Sequence, residues 1–89
     1  MNNRTRVSQV MTCDDHDFIE IACLYNYSIK ITTRSADNYQ GRALDTQYNQ
    51  QRQQCICIVC DEQPILIELD TIAEIHVLTP NPHFNYLRV

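Results

Sequence analysis

From Ser28 onward the chain breaks into short β-favouring runs roughly ten residues apart, and that rhythm restricts the fold more than any other feature. Ser28-Ile29-Lys30-Ile31-Thr32-Thr33 alternates apolar and polar residues, the period of a strand with one buried face. Ser35-Ala36-Asp37-Asn38 has turn chemistry, and residues 39–46 read as a second strand with a sharp bend or bulge at Gly41, the only glycine. A polar, glutamine-rich loop over residues 48–53 precedes a strand at Cys55-Ile56-Cys57-Ile58-Val59-Cys60. A turn at Asp61-Glu62-Gln63-Pro64, a strand at residues 65–69, a brief turn at Asp70-Thr71 and a strand at residues 72–78 follow. Pro80 and Pro82 are expected to end the regular structure. About five strands this short describe a small barrel or a strongly bent sheet.

Ahead of the strands the period changes. A helix is expected to begin around Asp14, capped by Thr12 or Asp14, with Asp14, Asp15 and Asp17 in its first turn. The helix macrodipole favours each of those carboxylates by about 0.3 to 1 kcal/mol. At 100° per residue, Phe18, Ala22 and Tyr25 cluster on one side with Ile19 and Ile21 flanking. His16, Asp17, Glu20 and Leu24 fall on the opposite, solvent side. The fold expected is therefore mainly β with one N-terminal α-helix. Residues 12–79 would form the domain, residues 1–11 a flexible N-terminal segment and residues 80–89 a C-terminal tail. Phe18, Ile19, Ala22, Ile29, Ile31, Ile58 and Ile67 are the expected core.

Eighty-nine residues make one small domain with a modest core. No apolar run is long enough to span a membrane, and the first ten residues lack the h-region of a signal peptide. The expected location is the cytoplasm. Five cysteines, an odd number, fit reduced thiols rather than a disulfide framework. Cys55, Cys57 and Cys60 have a spacing that suggests zinc. On a strand, however, the first two share a face and the third points away, so they do not converge on one ion. No metal and no cofactor are expected.

Charge is the other strong signal. Asp14, Asp15, Asp17 and Glu20 fall within seven residues, and residues 7–29 contain no Lys or Arg. That local charge equals the net −4 of the whole chain. A concentrated acidic field steers basic partners. Nucleic acid demands Lys and Arg against phosphate, and seven basic residues against eleven acidic ones argue against direct RNA binding. The acidic cluster is also a poor metal site, because neighbouring helix positions diverge by 100° and at most two of its side chains converge. Catalysis lacks converging groups: the sequence has no Gly-rich phosphate loop, nucleophile elbow or cofactor fingerprint.

A helix feeding five strands has the Sm-like order, and Ser28-Ile29-Lys30-Ile31-Thr32-Thr33, Gly41-Arg42-Ala43-Leu44-Asp45 and Cys55-Ile56-Cys57-Ile58-Val59 look like the first Sm motif. The front end is more specific. Cys13-Asp14-Asp15-His16-Asp17 followed by Ile19-Glu20-Ile21-Ala22-Cys23 resembles the C-D-D-x-D…L-E-x-A-C opening of the bacterial Rho-binding antiterminator (Rof/YaeO) family. Leu69-Asp70-Thr71-Ile72-Ala73 is similar to that family's late L-D-x-I segment, so the resemblance spans residues 11–77. It implies a cytoplasmic inhibitor of the transcription terminator Rho that binds Rho's N-terminal RNA-binding domain and blocks its primary RNA site. On this resemblance Asp17 and Glu20 are the expected principal contacts, with Asp14, Asp15 and His16 beside them. Asn49, Gln50 and Gln51 are expected as a second, polar contact. The protein is expected to be monomeric, with no direct nucleic-acid or membrane partner. The alternative is an Sm-like RNA-binding module or another acidic protein-interaction module.

Overall fold

The computed structural model describes residues 13–89. The expectations for residues 1–11 and for Thr12 as a cap lie outside the described residues. One helix, α1 (Cys13–Leu24), precedes β1 (Ser28–Thr33), β2 (Asn38–Tyr48), β3 (Gln54–Cys60), β4 (Gln63–Glu68), a 3-10 turn (Leu69–Thr71), β5 (Ile72–Val77) and β6 (Tyr86–Arg88). The strands form one open antiparallel sheet in the order β4-β3-β2-β1-β5-β6. Among the described residues the fold is mainly β with one helix, as the periodicity indicates, but the strands number six.

β6 is the correction. The chain turns back after Val77 instead of ending its regular structure at the prolines. Asn81 builds the turn: its Oδ1 accepts from the His83 and Phe84 amides at 2.8 and 3.0 Å, and its Nδ2 donates to the Thr79 and Phe84 carbonyls. Tyr86, Leu87 and Arg88 then pair with His76, Ile75 and Glu74. Leu87 is buried, and Phe84 and Val89 pack against the core.

The core forms where period two meets the helix stripe. Ile29, Ile31, Ile56, Ile58, Ile72 and Ile75 are fully buried, and Ile19 and Ala22 of α1 close over them. Of the expected core, only Phe18 is half-buried; its ring lies 4.9 Å from that of Phe84. Cys55 and Cys57 are buried on the face of β3 opposite Ile56 and Ile58. Tyr25 departs from the helical phase and is 55% exposed. The helix ends there, with Asn26 at φ 52°, and the Tyr25 ring stacks between Tyr27 and His83 at 5.6 and 5.4 Å.

Gly41 is needed for a close approach. The bulge in β2 lies two residues later, between Ala43 and Asp45. A Cβ on Gly41 would collide with the Val59 carbonyl oxygen and sit 2.8 Å from its carbon. β2 and β3 pack too closely there for any side chain.

Candidate functional site: the outer face of α1 and the β2–β3 loop

Burial of Ile19 and Ala22 fixes the rotation of α1 and turns Asp17, Glu20 and Leu24 to solvent. Asp17, Glu20, Ile21 and Leu24 line a shallow groove of about 380 Å³, and Leu24 is 72% exposed. Neither Asp17 nor Glu20 forms an ion pair or hydrogen bond among the described residues. These are carboxylates held on a helix with no partner among the described residues. Asp15 and His16 are half-buried. Asp14 sits in the first turn of α1, and its side chain lies outside the described residues.

The loop expected as a separate polar contact lies beside the helix. His16 lines a groove of about 360 Å³ with Tyr48, Arg52, Gln53, Gln54, Leu69 and Asp70. Helix and loop thus make one continuous surface, a juxtaposition that the sequence alone does not show. Tyr48, 68% exposed at the end of β2, and Arg52 join it without any pattern that would have singled them out.

The loop is held by Asn49. Its backbone N–H donates to the Gln53 carbonyl at 3.0 Å, and its carbonyl accepts from Arg52 at 2.9 Å. With Arg52 at φ 64°, this is the three-residue hairpin in which a turn is followed by a left-handed residue. The Asn49 Oδ1 accepts from the Gln51 and Gln53 amides, both at 2.9 Å. Its Nδ2 donates to Gln53 Oε1 at 3.2 Å and Glu68 Oε2 at 3.3 Å. The side chain of Asn49 is therefore committed inside the loop, whereas those of Gln50 and Gln51 are exposed.

The thiols behind this face are held protonated. Burial, then the charges of Asp45, Cys57 and Glu20, push the Cys23 thiol up to about 11. Burial likewise raises Cys55, helped by Glu68, and Cys57, helped by Asp45. Such thiols are weak nucleophiles and poor metal ligands. Among the described residues no three His, Cys, Asp or Glu side chains converge as a metal-binding group. No helix among them is long and apolar enough to cross a membrane. The surface suits a partner with basic and hydrogen-bonding groups.

Comparison with known proteins agrees with the architecture. Residues 10–89 match the family described as modulator of Rho-dependent transcription termination, ROF. The chain is similar to a solved structure described as YaeO bound to magnesium from Vibrio cholerae O395. The TM-score is 0.79 at 38% identity, covering 82% of this chain and 95% of that one. No curated protein matches the chain. The family match reaches from before α1 to the last residue, so it takes in the acidic helix, the β2–β3 loop and β6 together, and the chain belongs to the Rof family of modulators of Rho-dependent transcription termination.

Proposed function

We propose that the protein inhibits Rho by binding its N-terminal primary RNA-binding domain through the face formed by α1 and the β2–β3 loop, so that RNA is kept out. The observation carrying this reading is the pair Asp17 and Glu20, exposed on the helix and without an ion pair or hydrogen bond among the described residues. A site that receives RNA must be basic, so preformed carboxylates can occupy the positions of phosphates. Preorganisation matters because a helix gives up little freedom on docking. His16 and Tyr48 line one groove, the exposed amides of Gln50 and Gln51 belong to the loop that continues from Tyr48, and Asp14 and Asp15 precede His16 in the helix as further contacts in this reading. In this reading the protein acts in the cytoplasm as a monomer, by occlusion and not by chemistry, with no cofactor. Direct RNA binding is disfavoured by the same carboxylates, which repel a phosphate backbone.

The test is displacement. Fluorescently labelled oligo-dC bound to purified Rho is titrated with the protein. Wild type releases the oligonucleotide; Asp17→Lys/Glu20→Lys, with unchanged circular dichroism, does not. A ternary complex in which wild type binds while oligo-dC stays bound would refute occlusion.

A further inference from the structure

β4 ends the sheet. β3 pairs with it on one side, and among the described residues no strand pairs with it on the other. The hairpin joining them has a two-residue turn, Asp61 at φ 50° and Glu62 at φ 68°, between the paired Cys60 and Gln63. In such a hairpin the flanking pair exchanges both hydrogen bonds, and bonded and non-bonded pairs alternate from there. Ile65 and Ile67 therefore direct their backbone groups to β3, while Pro64, Leu66 and Glu68 direct theirs outward. Pro64 has no N–H to leave unpaired, which suits an edge. The Glu68 carbonyl accepts from Thr71 Oγ1 at 2.7 Å. The Pro64 carbonyl, the Leu66 N–H and carbonyl and the Glu68 N–H remain, and none has a backbone partner among the described residues.

This edge borders a groove of about 320 Å³ whose opposite wall is the β1–β2 hairpin, including Thr33, Ser35, Asp37 and Tyr39. Among the described residues, Asp37 and Glu68 are the charged ones lining it, and no Lys, Arg or His does so. Asp61 and Glu62 stand at one end of β4 and Asp70 beyond the other. The neighbouring cation, Arg34, donates from Nε to the Asp70 carbonyl at 2.9 Å and is not part of the lining.

We propose that the free edge of β4 is a second docking site, for an extended basic segment of another protein that adds as an antiparallel strand. The open groups fit one guest residue exchanging both bonds with Leu66. A guest N–H then reaches the Pro64 carbonyl, and a guest carbonyl accepts from the Glu68 N–H. Lys or Arg at alternate guest positions meets Asp37 and Glu68, which gives the strand its direction and excludes acidic segments. A second copy of this chain is a poor guest. Its β5 already pairs with β6, and its β4 would bring carboxylates against carboxylates.

The test uses the ¹⁵N-labelled full-length protein and a short capped peptide alternating lysine and valine. The expected result is saturable shifts at the Leu66 and Glu68 amides, with hydrogen exchange there slowed about tenfold or more. An N-methylated peptide, which cannot pair as a strand, and a glutamate–valine peptide should each bind at least about tenfold more weakly. Asp37→Asn should weaken binding while leaving the spectrum elsewhere unchanged. Three results would overturn the proposal: silent Leu66 and Glu68 amides, shifts confined to the Asp17 and Glu20 face, or shifts that follow protein concentration without peptide.

Discussion

Asn49 is the residue that holds the β2–β3 loop in shape. Asn49→Ala deletes four hydrogen bonds at once: two accepted from loop amides and two donated to Gln53 and Glu68. Each such bond contributes about 0.5–1.5 kcal/mol net in general. Because the loop is half exposed and water replaces part of what is lost, the total should be about 1–2 kcal/mol, mostly from the two amides. In a domain of this size that is a fall in Tm of roughly 4–16 °C. Asn49→Asp keeps both acceptor bonds but loses the donor and sets a carboxylate against Glu68. Two charges at about 4 Å repel by about 1 kcal/mol in bulk water and by up to about 4 kcal/mol near a protein surface. The aspartate variant should therefore be destabilised at neutral pH and recover, relative to wild type, as the pH falls below the carboxylate range; the alanine variant should not. Glu68→Gln should remove most of the aspartate penalty in a double-mutant cycle. Thermal melts by circular dichroism across pH give all of these values. An Asn49→Ala melt within 1 °C of wild type, or an aspartate penalty indifferent to pH and to Glu68→Gln, would refute the assigned role.

Other perturbations follow from the same structure. Gly41→Ala places a Cβ against the Val59 carbonyl, and because backbone cannot rotate away the cost should be about 1–3 kcal/mol, read as a lower denaturation midpoint. Ala36, at φ 72° in the β1–β2 turn, is in the left-handed region, so Ala36→Gly should raise stability by about 1 kcal/mol, read as a higher denaturation midpoint; a lower midpoint would show that the turn is not strained. At pH 8 the Cys23 thiol, near 11 instead of 9.0, is about a hundredfold less ionised than an ordinary thiol and should alkylate correspondingly slowly until the protein is unfolded. Cys23, Cys55, Cys57 and Tyr27 are all raised in the fold, so the stability linked to their protons is present below the ordinary thiol and phenol ranges and lost as pH climbs above them, for Cys23 toward about 11. The melting temperature should accordingly hold from neutral pH to about 8.5 and then fall.

The parts of the fold that follow from local pattern were legible in the sequence. Alternation around Ile29 and Ile31 marked β1, and the helical spacing of Ile19 and Ala22 marked the buried stripe of α1. β6 was not legible, because three residues are too few to show a period and Pro80 and Pro82 read as a stop. The signal available was Asn81, whose side chain can return the chain on itself. Gly41 was visible as special, but the reason is the approach of Val59 from another strand, which no local pattern encodes. The same holds for the site. A run of carboxylates without local cations is plain in the sequence, and the outward facing of Asp17 and Glu20 follows from helical phase. That His16 meets Arg52 and Asp70 across a groove depends on where α1 packs on the sheet. Asn49 is expected from sequence beside Gln50 and Gln51 as a polar contact; only the folded hairpin shows its amide bound to Gln53 and Glu68.

The central claim is electrostatic recognition of Rho by the outer face of α1, and calorimetry of purified Rho with wild type and with Asp17→Lys/Glu20→Lys at two ionic strengths tests it most directly. Wild-type affinity should fall as salt rises, and the double variant, equally folded, should lose at least about tenfold at low salt. Wild-type affinity indifferent to salt, with a double variant that binds as tightly, would contradict it.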